Sequence, residues 1–246
     1  MIQYGLISRT DANTLERTID LICQEFPLDY HLKITEIGLF NCETSNGIMD
    51  YVVSKGKCID FIGIDNEKDK PITTKYISET YKEFSVIIGN STEVYNALPD
   101  NSQHLIFQDG CHSFPCVIAD FFCYAPKVKV GGYMAWHDTG KHIKQFKDWQ
   151  RMGSEGDSDM YISVRKALKA IGLFEDCILP IHERVKIDVD ALVDKMSYED
   201  IVKMWQTTGS IWYRGVDKQS KKWELIFDEA DPTDEAGGVT VFKKLF

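Results

Sequence analysis

The amino-acid sequence predicts a doubly wound α/β fold: a mostly parallel sheet of seven strands, the last one antiparallel, with helices on both faces. Three observations lead to this prediction. Short apolar runs recur along the first 140 residues, segments with helical spacing separate them, and a pair of strand-like segments ends the chain. Most of these runs are apolar rather than strictly alternating, which is typical of parallel strands that are covered on both faces.

Seven segments account for the predicted sheet. The parallel strands are Leu32–Ile37, Cys58–Ile64, Phe84–Ile88, His104–Phe107 and Tyr133–Trp136. The terminal pair is Trp223–Phe227 and Val239–Leu245, joined by the acidic loop Asp228–Gly238. The strand ends therefore mark where a ligand is expected to bind.

Helical spacing predicts the layers that cover the sheet. Leu15, Ile19, Ile22 and Phe26 line one face of a first helix that Pro27 closes. Further helices are predicted over Ile48–Val53, Val117–Tyr124 and Val164–Ile171.

The composition is that of an ordinary folded protein. The chain has 246 residues, 43% hydrophobic and 27% charged, and this excludes disordered and fibrous classes. We interpret residues 1–246 as one domain, with residues 1–31 as an N-terminal helical extension. Residues 183–215 are interpreted as a helical insertion, either a cap or the association surface of a homo-oligomer.

Charge and cysteine content indicate the class of partner and the compartment. The formal net charge of −10 at pH 7 disfavours nucleic acid and favours a small-molecule acceptor, because an acidic surface repels phosphate. Seven cysteines without a CxxC pair indicate reduced thiols and a cytoplasmic protein. No export leader or apolar run of about 18 residues occurs, so no membrane association is expected.

Polar residues follow each predicted parallel strand. In chain order they are Glu36 and Gly38, then Asp65, then Asn90 and Ser91, then Asp109 and His112, then His137 and Asp138. Because the carboxyl ends of parallel strands meet at one edge of a sheet, these groups are expected to converge on one crevice.

The first of these loops favours a nucleoside over a dinucleotide. Residues 36–47 lack the three glycines that let a pyrophosphate reach a helix, and Asn41 and Cys42 stand where a glycine is expected. A nicotinamide-dependent oxidoreductase is disfavoured for that reason. Asp65 lies at the end of the second strand, where a carboxylate can accept both hydroxyls of a ribose.

Four motifs together resemble class I S-adenosylmethionine-dependent methyltransferases, which have a Rossmann-like fold. The motifs are EIG at 36–38, IGID at 62–65, GNS at 89–91 and QDGCHSFPCVIADFFCYAPKVKVGGYMAWHDTG at 108–140. The last resembles a subgroup with a DG-x-H motif, a GG turn and a terminal HD. The resemblance covers about residues 32–140 and, more loosely, the later helix and the final strand pair.

The resemblance implies a set of cofactor contacts. Glu36 and Gly38 would meet the methionine end of S-adenosylmethionine, and Asp65 would bind the ribose. Asn90 and Ser91 would border the adenine, and Asp109 would stand beside the sulfonium. Cys42 replaces the usual last glycine of the first loop, and Asn90 replaces the acid often found at the adenine amino group.

The resemblance also implies a metal set. In related enzymes that use a divalent cation, acidic residues after the fourth and fifth strands hold the ion, and Asp109, His137 and Asp138 occupy those positions. Two carboxylates and an imidazole suit Mg²⁺ or Mn²⁺ moderately, since Mg²⁺ prefers oxygen. The alternative is that Asp138 caps the following segment and His137 bonds locally.

Three residues are candidates for catalysis: Asp109, His112 and His137. Either histidine can act as a general base for the acceptor, because imidazole titrates near neutral pH. The alternative is that His112 orders its own loop. Asp120 is interpreted as structural.

Two other groups of polar residues are not assigned to the site. The GCHSFPC segment at 110–116 lacks the second ligand pair of a structural zinc site. The basic residues from Lys141 to Arg151 follow the fifth strand, where they form either an anion contact or a solvated helix face.

The function predicted from the sequence is O-methylation of a small-molecule hydroxyl, on a sugar or an anionic metabolite, assisted by a divalent metal or a histidine base. The alternative is a noncatalytic binding or assembly protein that retains the fold. Cys42 and Asn90 are the residues that favour this alternative.

Overall fold

The computed structural model describes residues 7–66, 84–112, 114–140, 164–174, 222–229 and 237–246. The predicted insertion at 183–215 and the basic residues at 141–151 lie outside these ranges. The division into one domain, an extension and an insertion therefore stays a prediction.

A mixed sheet of seven strands runs through the described residues. The strands are β1 (His31–Ile37), β2 (Cys58–Asp65), β3 (Phe84–Ile88), β4 (Gln103–Gln108), β5 (Val128–Trp136), β6 (Trp223–Glu229) and β7 (Val239–Lys244). Their order is β3-β2-β1-β4-β5-β7-β6. Strands β1 to β5 pair in parallel, whereas β7 pairs antiparallel with both β5 and β6. The predicted doubly wound sheet with an antiparallel last strand is confirmed.

Five α-helices are described. They are α1 (Arg9–Glu25), α2 (Glu43–Ser54), the single turn α3 (Ser91–Val94), α4 (Phe114–Tyr124) and α5 (Val164–Ala170). Short 3₁₀ turns follow α3 at Tyr95–Ala97 and α4 at Ala125–Lys127. Helix α1 begins with a reciprocal capping box between Ser8 and Asp11.

Two apolar cores lie on opposite faces of the sheet. On one face, Leu15 and Ile19 of α1 and Ile48 of α2 pack with Ile34 and Phe107. On the other face, α4 and α5 pack against a different set of strand residues: Ile106, Met134, Trp136 and Phe242. Neighbouring residues of a strand point to opposite faces, so both faces of each central strand are apolar. This explains why most of the central strands appear in the sequence as largely apolar segments.

Strand β5 begins five residues before the predicted Tyr133. Its register with β4 shifts between Gln103 and Leu105. Gly131 has φ +81°, and a Cβ on Gly132 would lie 3.0 Å from the carbonyl oxygen of His104. The glycine pair permits an irregular stretch within the strand, which a pattern based on regular pairing does not detect.

No helix in the described ranges has both the length and the apolarity needed to cross a bilayer.

A three-residue cluster ties the amino end of the sheet together. Asp29 Oδ2 lies 2.7 Å from His104 Nε2 and 2.7 Å from Lys129 Nζ, while His104 Nδ1 accepts the backbone N–H of Lys33 at 2.9 Å. Hydrogen bonds from Lys129 and His104 lower the pKa of Asp29 from 3.8 to about 2. This cluster joins the linker after α1 to β1, β4 and β5.

We expect Asp29→Asn to destabilise the protein in a pH-dependent way. Since the folded-state pKa is depressed, the carboxylate stabilises the fold above the unfolded-state value of 3.8 and loses this effect as the pH falls towards 2. The side chain is 38% exposed, so the loss at neutral pH should not exceed about 1 kcal/mol. Urea unfolding at pH about 7 and about 3 measures it, with Asp60→Asn as the control for removing one carboxylate. An equal loss at both pH values contradicts the expectation.

Candidate active site

Three backbone hydrogen bonds join the carboxyl ends of neighbouring strands into one rim. The N–H of Gly38 after β1 donates to Ile64 O in β2 at 2.8 Å, and the N–H of Asp109 after β4 donates to Ile37 O in β1 at 2.8 Å. The N–H of His137 after β5 donates to Gln108 O in β4 at 3.0 Å. The residues that follow β1, β2, β4 and β5 therefore lie along one edge, as the topology requires.

Every second residue from 38 to 42, in the loop after β1, has a positive φ angle. Gly38, Phe40 and Cys42 have φ values of +86°, +45° and +62°. Only glycine adopts such values without steric cost. Cys42 thus has the backbone conformation of the glycine that usually ends this loop in the methyltransferases that the sequence resembles. Its thiol is fully buried in the core that includes α1 and α2.

Asp65 supports this loop from the end of β2. Its Oδ2 accepts the N–H of Leu39 at 2.8 Å and that of Phe40 at 3.3 Å. The carboxylate is 9% exposed. These bonds compensate for the unusual backbone and hold the loop beside the end of β2.

Gly38 is required by a close approach of two backbones. A Cβ at this position would lie 2.4 Å from the carbonyl oxygen of Asp109 and 2.5 Å from Gly110 Cα. Real Cβ contacts are never this short, and the conflicting atoms are backbone atoms that cannot rotate away. The glycine therefore lets the loops after β1 and β4 touch.

Glu36 is a buried acid between the two halves of the rim. It is 1% exposed, and Ser45 Oγ donates a hydrogen bond to its Oε2. Burial raises the pKa of Glu36 well above its usual range. The negative charges of Asp109 and Asp65 raise it further, against the opposing effects of Ser45 and His137. The shared influence of Asp65, Asp109 and His137 on Glu36 shows that these groups face one region.

Asn90 and Ser91 form the turn after β3. Asn90 caps α3 with its backbone, and its Nδ2 lies 3.4 Å from Glu93 Oε1. Ser91 Oγ donates to Asp120 Oδ1 at 2.5 Å. Ser91 is thus held by a residue of α4.

Asp120 links the loops that follow β3 and β4. Besides Ser91, it accepts Gln108 Nε2 at 3.1 Å, and Gln108 also donates to Cys111 O at 3.2 Å. Burial raises the pKa of Asp120 to about 7. The side chain orders two loops of the rim, in agreement with its interpretation as structural.

Four side chains after β4 and β5 form an acid–imidazole cluster. His137 Nδ1 lies 2.9 Å from Asp109 Oδ1 and 3.7 Å from Asp138 Oδ1. His112 Nε2 lies 3.1 Å from Asp138 Oδ2 and 3.5 Å from Asp109 Oδ1. The two carboxylates and the two imidazoles alternate.

The cluster is electrostatically coupled. Burial raises the pKa of Asp109, but the two imidazoles outweigh burial and hold that pKa well below its usual range. Burial lowers the pKa of each imidazole, yet Asp109 and Asp138 outweigh it and leave the pKa of His112 raised and that of His137 well above its usual value. The two acids therefore favour the charged form of both imidazoles, and the imidazoles favour the ionised form of Asp109.

The donor set of the predicted metal site is assembled on one side of the cluster. Asp109, His137 and Asp138 each offer one ligand atom, and these atoms lie within 4.8 Å of one another. Carboxylate oxygen and imidazole nitrogen both suit Mn²⁺, whereas Mg²⁺ prefers oxygen alone. The three donors are close enough to share one ion.

The loop after β5 is fixed from the side of the terminal strands. Thr240 Oγ1 donates to Thr139 Oγ1 at 2.8 Å. Arg165 makes a bidentate ion pair with Asp228, at 2.6 and 2.7 Å, and donates to Thr139 O at 3.2 Å. Asp138, with φ +54°, is held in a left-handed turn by these neighbours.

The sequence interpretation missed one residue at this rim. Asp11 of α1 is fully buried, and its Oδ2 lies 3.4 Å from His137 Nε2. The only local signal is its helix-capping pattern with Ser8, which predicts a helix start and gives no information about which strand end that start faces.

Comparisons with known proteins match this chain by sequence family and by fold. Residues 35–139 match a family model described as a methyltransferase domain, and this range contains every predicted site residue. No curated protein matches the chain significantly.

Three solved structures share the fold. A protein from Corynebacterium glutamicum is 14% identical with a TM-score of 0.51, over 98% of this chain and 84% of that one. Cofactor-bound Rv0187 from MTB is 9% identical with a TM-score of 0.54, over 99% and 84%. An rRNA methylase from Streptococcus thermophilus is 8% identical with a TM-score of 0.51, over 98% and 100%. Because the identities are low, these likenesses establish the fold alone.

We expect Gly38→Ala to separate the loops after β1 and β4. The matched control is Gly56→Ala, since Gly56 has φ +72° but open space around its Cβ position. The control should reduce the free energy of unfolding by only about 1–2 kcal/mol, the cost of a left-handed backbone at a residue with a Cβ. Gly38→Ala should reduce the free energy of unfolding by at least about 1 kcal/mol more than the control does, because the new Cβ also clashes with the backbone of Asp109 and Gly110. Urea unfolding compares them, and equal losses would show that the close approach is unimportant.

Proposed function

We propose that this chain is a class I methyltransferase that transfers a methyl group from S-adenosylmethionine to a hydroxyl oxygen of a small molecule; its sheet order and the methyltransferase-domain match at residues 35–139 support this. The acceptor is a sugar or an anionic metabolite. The observation that supports this most strongly is the single rim, which has the acids Glu36 and Asp65 at β1 and β2 and a separate acid–imidazole cluster at β4 and β5.

The donor fits the first half of the rim. Asp65 is a mostly buried carboxylate at the end of β2, and it lies beside the loop after β1, whose N–H groups it accepts. In this proposal it binds the ribose hydroxyls, Glu36 and Gly38 meet the methionine end, and Asn90 and Ser91 border the adenine. Asp109 stands beside the sulfonium, where a negative charge stabilises the cation.

The protein's part in the reaction is alignment and proton removal. Bound S-adenosylmethionine supplies a methyl group that its sulfonium already activates. As the new O–C bond forms and the S–C bond breaks, the acceptor hydroxyl gives its proton to a base. His112 and His137 are the candidate bases, and Asp109 orients His137 through their 2.9 Å contact.

Asp109, His137 and Asp138 also fit a divalent cation, by donor chemistry and by spacing. Such an ion would lower the pKa of a hydroxyl bound to it. Engagement of Asp109 and Asp138 would also reduce the negative charge that raises the pKa of His112. A cation at this site is therefore compatible with His112 as the base.

The noncatalytic alternative has one structural observation in its favour. Phe40 carries a side chain at a left-handed position of the first loop and is 61% exposed, so the loop displays an apolar ring in the region proposed for the donor. An inability to bind S-adenosylmethionine and its demethylated product at millimolar concentration would favour this alternative.

We expect Asp65→Asn to weaken binding of S-adenosylhomocysteine about tenfold. The amide can still accept the loop N–H groups, but a hydrogen bond from ribose to a charged acceptor is worth about 1.5–3 kcal/mol and that to a neutral one is worth less. Calorimetry should show that the wild type discriminates against a 2′,3′-dideoxy analogue and that the variant discriminates less.

Asp60→Asn is the matched control, because Asp60 lies on the same strand and contacts His31 at the opposite end of the sheet. The control should bind both ligands as the wild type does. Equal discrimination by the Asp65 variant and the wild type would remove Asp65 from the ribose site.

We expect Asp138→Ala to weaken Mn²⁺ binding by at least about tenfold. Mutation of a residue that only supports a metal ligand typically costs about 10- to 100-fold in affinity, and loss of a ligand itself should cost no less. The electron paramagnetic resonance signal of free Mn²⁺ measures binding directly, with Asp60→Ala as the control. Unchanged Mn²⁺ affinity would exclude this donor set and leave His112 or His137 as the remaining hypothesis for proton removal.

A further inference from the structure

Asp11 is a buried carboxylate that the proposed reaction has not used. It lies in the first turn of α1 and is fully buried. Its Oδ2 accepts Ser8 Oγ at 2.8 Å and lies 3.4 Å from His137 Nε2. Its Oδ1 is buried and has no hydrogen-bond partner among the described residues. A buried carboxylate that is only partly satisfied is costly to the fold, so its place beside a histidine of the site requires an explanation.

Helix α1 is held in place by several contacts besides the Ser8–Asp11 capping box. Thr14 Oγ1 and Arg17 bond to the two carboxylate oxygens of Glu229 in β6, at 3.0 and 2.6 Å. Asp20 accepts Tyr51 of α2 at 3.2 Å and pairs with Lys55 at 2.7 Å. The apolar face of α1 is buried against the sheet. The helix is therefore anchored along its length, and the Asp11 carboxylate reaches His137 in addition to capping the helix.

The two ring nitrogens of His137 face different groups. Nε2 faces Asp11 of α1, while Nδ1 faces Asp109 and Asp138. The ring also lies edge-on to Phe107, with 6.3 Å between centroids. An imidazole that binds a metal through one nitrogen usually donates its other N–H to an oxygen acceptor, and this contact fixes both the tautomer and the ring orientation.

We propose that Asp11 is a positioning residue for His137. It accepts the Nε2–H, so that the lone pair of Nδ1 faces Asp109 and Asp138, where the cation is proposed to bind. The inference rests on the proposed cation site and adds the N-terminal helix to it. It assigns Asp11 to orienting a ligand, without direct contact with the ion.

Mn²⁺ titration of the full-length chain tests this role. Asp11→Ala should weaken Mn²⁺ binding about 10- to 100-fold, the range typical of outer-shell partners of a metal-binding histidine. Asp11→Asn retains an oxygen acceptor and should recover part of that affinity. Ser8→Ala is the matched control, because it removes the hydroxyl from the helix cap but leaves the Asp11 carboxylate. It should bind Mn²⁺ within about threefold of the wild type, which is well below the outer-shell range.

The outcomes separate the inference from the proposals it rests on. Wild-type affinity in a folded Asp11→Ala variant overturns the positioning role, and so does an equal loss in Ser8→Ala, which would assign the effect to the helix cap. If the wild type does not bind Mn²⁺, this inference and the cation site both fail. Binding of S-adenosylhomocysteine, measured separately, decides whether the methyltransferase proposal survives.

Discussion

The close approach of the loops after β1 and β4 is the constraint on which the site depends. At Gly38 there is no room for a Cβ, because the backbone of Asp109 and Gly110 lies too close. A hydrogen bond from the Asp109 N–H to Ile37 O joins the same two loops. This brings the buried Glu36 and the cluster of Asp109 and the histidines to the same rim. A wider gap would leave Glu36 and the cluster facing separate clefts.

Two acids at this rim are driven in opposite directions by their surroundings. Glu36 is buried and surrounded by other carboxylates, so its pKa is raised. Asp109 is partly buried, but it faces two imidazoles and its pKa is lowered. Such a divergence separates the roles of similar groups within one site. Here the protonated form is favoured at Glu36, on the β1 side, and the ionised form at Asp109, towards β4 and β5, where a sulfonium or a metal cation would be attracted.

Much of the rim could be predicted from the sequence because the relevant residues directly follow apolar strands. Glu36, Asp65, Asp109 and His137 needed only strand positions and a parallel topology to be placed together. The conformation of the first loop was beyond such reasoning. Phe40 and Cys42 adopt backbone angles that their side chains disfavour, and their loop is held by hydrogen bonds from the N–H groups of Leu39 and Phe40 to Asp65 on a distant strand. Asp11 was missed for a similar reason, since its contact with His137 spans 126 positions of sequence.

Helix α1 connects the stability of the sheet to the geometry of the rim. Its apolar residues complete the core on one face, and its polar residues bond to β6 and α2. These anchors fix the position of the first turn of α1 near the end of β5. That position determines the distance between Asp11 and His137. The terminal strands act on the same loop from another side, because Thr240 bonds to the Thr139 side chain and Asp228 holds Arg165, which donates to the Thr139 carbonyl oxygen. The orientation of His137 and Asp138 is thus set jointly by the helix before the sheet and the strands that complete it, although neither is a catalytic element itself.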